Sequence, residues 1–135
     1  MTIIYNLTDK HIEQLLQMYK GVGWGKDRSI EDVKSCVQGS QICIGIIDAH
    51  NNLIGFTRLI TDFIYKAFIF DVMVSAEHRG NGLGQKLMSI VKNHEKLQSV
   101  KHFELYCFPE MEAFYESFGF TADVGGIKLM RCANA

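Results

Sequence analysis

The chain has 135 residues and a formal net charge of −1, with 14 Lys and Arg against 15 Asp and Glu. That length buries roughly two-thirds of the unfolded surface, enough for one core, so a single domain over residues 1–135 is expected. Scattered cations exclude a nucleic-acid stripe or polybasic membrane segment, and no apolar run reaches the roughly 18 residues of a membrane helix. With no signal-peptide pattern at the N-terminus, a cytoplasmic protein with neither nucleic-acid nor membrane partners is expected.

Ile3 to Leu7 reads as a first strand. Thr8 is placed to cap a helix in which Ile12, Leu15, Leu16 and Tyr19 recur at helical spacing, ended by Gly21 and Gly23. Trp24 falls in the following loop, and Ser29 with Asp32 signals a short second helix to about Val37. Ile42 to Asp48 and Leu53 to Ile60, joined through Asn51-Asn52, read as a hairpin, because asparagine tolerates the positive φ of tight turns. Lys66 to Val74 is almost continuously apolar, as a central strand covered on both faces would be, and Asp71 interrupts it.

Leu83, Leu87, Ile90 and Val91 mark one face of a helix ending near Lys96, and Phe103 to Cys107 is the next strand. Pro109, with its fixed φ, starts a helix through Tyr115 that Gly119 stops. Phe120 to Asp123 and Ile127 to Cys132, around Gly125-Gly126, read as closing strands. The elements alternate as in a mixed α/β sheet of about six to seven strands with about four helices.

Cys36, Cys43, Cys107 and Cys132 are widely spaced and form no C-x-x-C pair, so reduced thiols are expected and no metal. His94-Glu95-Lys96-Leu97-Gln98 begins like a zinc-protease helix, but Gln98 stands where the second histidine belongs. No G-x-S-x-G elbow supports a serine hydrolase.

The chemistry concentrates in Arg79-Gly80-Asn81-Gly82-Leu83-Gly84, which follows the apolar strand and opens a helix. Glycines at alternate positions let backbone approach a ligand, and the helix start offers free N–H groups and the positive end of its dipole to a phosphate or pyrophosphate. A Walker loop needs Gly-Lys-Ser/Thr, whereas Gly84 is followed by Gln85 and Lys86; a dinucleotide fingerprint needs a third glycine where Gln85 stands.

With Asp71-Val72-Met73-Val74 before it, this loop resembles the acetyl-coenzyme A loop of GNAT-type N-acetyltransferases. Phe114-Tyr115-Glu116-Ser117-Phe118-Gly119-Phe120 is similar to the FYE-x-x-GF segment of that family, and Gly55-Phe56-Thr57-Arg58-Leu59 with Asp62 resembles its small bacterial members. The resemblance runs from Ser40 to Phe120 and implies a sheet whose central strands splay apart around acetyl-coenzyme A as cosubstrate.

It also implies a reaction. An amine would attack the thioester directly in a ternary complex, backbone N–H groups near Met73 and Val74 would polarise the carbonyl, and Tyr115 would act as general acid toward the departing thiolate. An ammonium of pKa ~10.4 costs about 4–5 kcal/mol to deprotonate at pH 7, which gives Asp71 a reason to serve as base; a buried structural carboxylate is the other reading. Phe108 and Met111 stand where many members carry Asn and Ala, so Phe108 makes that edge of the cofactor slot apolar. Trp24, Asp62 and Tyr65 are the expected acceptor contacts, and the acceptor is a small-molecule or peptide amine. A Cys107 acyl intermediate is a lesser route, a non-catalytic coenzyme A sensor is the alternative function, and apolar strands near the C-terminus suggest a homodimer.

Overall fold

The computed structural model describes residues 1–134. Five strands, β1 (Thr2–Ile4), β2 (Ile42–Ile47), β3 (Leu53–Thr61), β4 (Lys66–Val74) and β5 (His102–Glu104), form one sheet in sequence order. The first four are antiparallel neighbours, and β5 lies parallel to β4. Helices α1 (Asp9–Lys20) and α2 (Ile30–Gln38) cover one face, while α3 (Leu83–Lys92) covers the other; α4 (Glu112–Glu116) is a short helix after Pro109.

Two apolar layers hold this sandwich. Ile12, Leu15, Tyr19 and Val33 pack on Phe56 and Met73 on the α1 side, and Leu83, Leu87, Met88 and Val91 pack on Ile44, Ile54 and Ile69 on the α3 side. Burial of such side chains contributes about 1.5–3 kcal/mol each. Helix α1 starts at Thr8, whose hydroxyl accepts from His11 N–H while His11 Nδ1 accepts from Thr8 N–H. That leaves His11 Nε2 to donate to Asn51 Oδ1 at 2.9 Å, tying the helix start to the β2–β3 turn, where Asn51 alone of the two asparagines has positive φ.

Strand β4 contains the feature that shapes the site. Phe56 pairs with Met73 and Arg58 with Phe70, so β3 spends one residue, Thr57, where β4 spends two, Asp71 and Val72. This is a β-bulge, and Asp71 adopts left-handed φ of 58° within it. One extra residue reverses the alternation of faces. Ala67 and Ile69 point to the α3 layer before the bulge, Val72 and Val74 after it, and Met73 is returned to the α1 layer. The strand is therefore not covered evenly: Phe68 is exposed on the α1 face, beyond the reach of the two helices.

β4 and β5 pair only at Lys66–His102, Ala67–Phe103 and Phe68–Glu104. Beyond that point they separate, so Leu105 to Cys107 leave the ladder and β5 is shorter than the Phe103 to Cys107 expectation. Helix α3 also stops early, at Lys92, because the Asn93 side chain donates to the Ser89 carbonyl and caps it.

The closing strands are a correction. Among the described residues the sheet has five strands, not six to seven, and neither Phe120 to Asp123 nor Ile127 to 132 forms a ladder. Gly125 and Gly126 both take positive φ, turning the chain, and β5, the edge strand at this end of the sheet, is three residues long. Ile127, Leu129 and Met130 consequently remain exposed.

Candidate active site

The separation of β4 from β5 opens a cleft of about 1270 Å³, bounded by β4 from Ile69 to Val74, by Leu105 to Phe108 and by the α1–α2 loop. It runs from the glycine loop at one end to Trp24 and Arg28 at the other.

At the loop end, Gly80 and Gly82 have φ of 83° and 77°. Gly82 caps α3 with no side-chain bond, and the first intrahelical bond is Lys86 N–H to Gly82 O at 3.0 Å. The N–H groups of Leu83, Gly84 and Gln85 thus lack intrahelical partners. A recess of about 220 Å³ lined by Val74, Arg79, Gly80, Gly82, Gly84 and Phe114 lies at this helix start, where free N–H groups could hold an anion. Arg79 Nε donates to Val74 O at 3.3 Å and Asn81 Nδ2 to His78 O at 3.2 Å, so both side chains brace the loop.

In the middle of the cleft, hydrogen-bond register assigns the backbone donors. Ser75 N–H donates to Ile54 O at 2.9 Å, and pairing continues from Val74–Gly55 to Met73–Phe56. Groups facing a neighbouring strand alternate along a ladder, so Met73 also bonds toward β3, while Val74 turns its N–H to the cleft. Of the two expected donors, Val74 is the one available.

Tyr115 lines the same cleft from α4, buried to 9% exposure and packed edge-on against Phe114 and Phe120. Its hydroxyl bonds to no side chain or backbone group among the described residues. Burial, and secondarily the nearby Cys107 thiol, push its pKa up to about 12. Phe108 and Met111, both exposed and just before α4, line the cleft as well.

Asp71 sits on the floor with its side chain 8% exposed. Its Oδ2 accepts from Tyr19 Oη at 2.7 Å and from Arg58 Nε at 2.7 Å, and Arg28 lies 3.6 Å away. Tyr19 is fully buried, and burial followed by the Asp71 charge raises its pKa strongly. Phenols held protonated only in the fold make a prediction. Above the ordinary tyrosine value near ~10 the unfolded chain releases protons that folded Tyr19 and Tyr115 keep, so stability is intact below pH ~10 and falls as pH rises through the Tyr115 value. Denaturant midpoints between pH 9 and 11 should show that decline, and Tyr115→Phe should make it shallower while leaving the share due to Tyr19.

Trp24, at the cleft's far end, meets Tyr19 edge-on at 5.9 Å. Asp62 and Tyr65 are not brought to the cleft. Asp62 Oδ1 accepts from the N–H groups of Ile64, Tyr65 and Lys66, which lower its pKa, so it closes the β3–β4 turn, and Tyr65 is exposed. Sequence reasoning missed three members of the Asp71 cluster. Tyr19 read as a core position and Arg28 drew no reading at all; Arg58, a cation inside an apolar strand, was the signal that a buried acid needed a partner. Among the described residues no group of His, Cys, Asp or Glu is arranged to hold a metal, and no helix is long and apolar enough to cross a membrane.

The comparisons agree with this geometry. The sequence profile of the acetyltransferase (GNAT) domain matches residues 38–122. The N-acetyltransferase ycf52 of Pyropia yezoensis, itself uncharacterised, is 32% identical over 132 residues, covering 94% of this chain and 75% of that protein. A Xanthomonas campestris pv. campestris structure described as a GNAT-family acetyltransferase superposes with a TM-score of 0.80 at 26% identity, covering 99% of this chain and 94% of that one. The fold is also that of Arabidopsis thaliana glucosamine-6-phosphate N-acetyltransferase, with a TM-score of 0.74 at 16% identity and coverage of 99% and 100%. A glycine loop at an uncapped helix, a split between β4 and β5 and the profile match over most of the chain have one explanation: the protein belongs to the GNAT acetyltransferase family.

Proposed function

We propose that this protein transfers an acetyl group from acetyl-coenzyme A to a primary amine by direct attack in a ternary complex. The observation that carries the reading is the unbonded Tyr115 hydroxyl in the same cleft as the inward Val74 N–H, with the uncapped start of α3 in the recess that adjoins it at Val74 and Arg79. The pyrophosphate sits on the loop from Arg79 to Gly84, the pantetheine arm follows the exposed edge of β4, and the thioester oxygen takes its hydrogen bond from Val74 N–H.

The neutral amine adds to the thioester carbon, the C–S bond breaks, and sulfur leaves as thiolate. A phenol at about 12 is a weak acid toward a thiolate whose conjugate acid has pKa about 8.5. Tyr115 therefore works chiefly by donating a hydrogen bond as charge develops on sulfur. The proton that nitrogen gives up completes the thiol.

Asp71 acts through position and charge. Its Oδ2 already serves Tyr19 and Arg58, which suits an anchor for the bulge and the acceptor end of the cleft better than a proton acceptor. Cys107 is assigned no acyl intermediate, since burial, then Glu112 and Glu110, raise its pKa and leave it a thiol.

The test is calorimetric titration with acetyl-coenzyme A followed by thiol release against a panel of amines. Binding with release supports transfer; binding without release from any amine favours a coenzyme A sensor. Gly82→Val places a β-branched residue at φ 77° with its Cβ 3.2 Å from Gln85 Oε1. Left-handed backbone costs such a residue about 1–2 kcal/mol, so affinity for acetyl-coenzyme A should fall about tenfold.

A further inference from the structure

Arg28 is the one cluster member that no part of the reaction above uses. It lies in the α1–α2 loop, with its backbone N–H bonded to Gly25 O at 3.2 Å. Its guanidinium is held over two aromatic faces, with Cζ 4.3 Å from the Tyr19 ring centroid and 5.3 Å from that of Trp24. Those rings fix the plane of a fork whose N–H groups donate no hydrogen bond to any of the described residues. The nearest acid, Asp71, is 3.6 Å away, too far for a hydrogen bond, and its Oδ2 is already taken by Arg58 and Tyr19.

Two features follow. The cluster holds two guanidinium groups against one carboxylate, an excess of one positive charge on a floor where Arg58 and Asp71 are nearly out of water. The other acids along the cleft, Asp48 and Glu77, form no ion pair with Arg28. A planar, stacked guanidinium with free donors matches a carboxylate bidentately and is already ordered to do so. The cofactor's phosphates are not the guest, because the anion recess opens at α3, beyond the end of β4. Asp71 precedes Val74 by three residues, with the bulge between them.

We infer that Arg28, stacked on Tyr19 and Trp24, selects acceptors that carry a carboxylate as well as the reacting amine, that is, free amino acids. This rests on the acetyl-transfer reading for the amine's role but not for the carboxylate's binding. The amine points toward Val74 and Tyr115, and the carboxylate lies against the Arg28 fork. Arg28 is a specificity residue and touches no reacting atom.

The experiment uses amine pairs that differ by the carboxylate: phenylalanine and phenethylamine, lysine and cadaverine. Their N-acetylated forms are titrated calorimetrically into the coenzyme A-loaded protein, and the parent amines are compared by thiol release, in wild type and Arg28→Gln. Wild type should favour the carboxylated member at least tenfold in affinity, and in kcat/KM through KM. Arg28→Gln should lower that ratio about tenfold or more, and Arg28→Lys should restore it only in part, since an ammonium cannot bind bidentately. Equal or reversed preference in wild type, or an unchanged ratio in Arg28→Gln, overturns the inference. Carboxylate-dependent binding without thiol release from any amine would keep it and remove acetyl transfer instead.

Discussion

Tyr115→Phe is expected to lower kcat about 10²–10³-fold while leaving acetyl-coenzyme A affinity nearly unchanged. The substitution keeps the ring that packs against Phe114 and Phe120 and deletes only the donor at the leaving sulfur, and loss of one preorganised donor to developing charge has that magnitude. Calorimetry and thiol release on the same preparations separate the two effects. An unimpaired kcat would remove Tyr115 from the chemistry.

The pH profile gives an independent check. Only the neutral amine attacks, so kcat/KM should rise about tenfold per pH unit toward the acceptor's pKa near ~10.4. The phenol, at about 12, stays protonated over that range, so no descending limb is expected. A limb falling near pH ~8.5 would instead point to a thiol acting as the acid.

Asp71→Asn should destabilise the protein by about 3–5 kcal/mol, a large part of the total for a chain this size, because Arg58, nearly out of water, loses the carboxylate that compensates it, and the partly exposed Arg28 loses it as well. Asparagine tolerates the left-handed φ of 58°, so the backbone of the bulge is kept and the effect reads the charge. Adding Arg58→Met removes the stranded cation and should recover much of the loss. Urea midpoints for wild type, both single variants and the double variant close the cycle. Additive losses would show that Asp71 and Arg58 do not stabilise one another.

Most of the elements could be read from local signals. Thr8 and Ser29 cap α1 and α2 where expected, since a capping hydroxyl needs only the three residues after it. Leu83, Leu87 and Val91 bury one face of α3 because helical spacing fixes their direction. The glycine loop was legible for the same reason: positive φ at Gly80 and Gly82 and an uncapped helix start are properties of a few consecutive residues.

The failures share a cause. Phe120 to Asp123 and 127–132 have strand composition, but a strand exists only if a partner edge receives its hydrogen bonds, and the sequence does not say that β5 has just three residues. Asp71 was visible as an oddity in an apolar run. Its meaning depended on the bulge, which reverses the alternation and carries the carboxylate to Tyr19, Arg58 and Arg28, from 13 to 52 positions away. Asp62 shows the converse, a suspected site residue spent on three N–H groups of its own turn. The sequence by itself determined the helix caps, the apolar faces and the glycine loop, all set by interactions within a few residues. Tertiary structure alone decided which backbone N–H faces the cleft, what neutralises Asp71 and where a guanidinium without a hydrogen-bonded partner stands, because each depends on register and charge between segments distant in the chain.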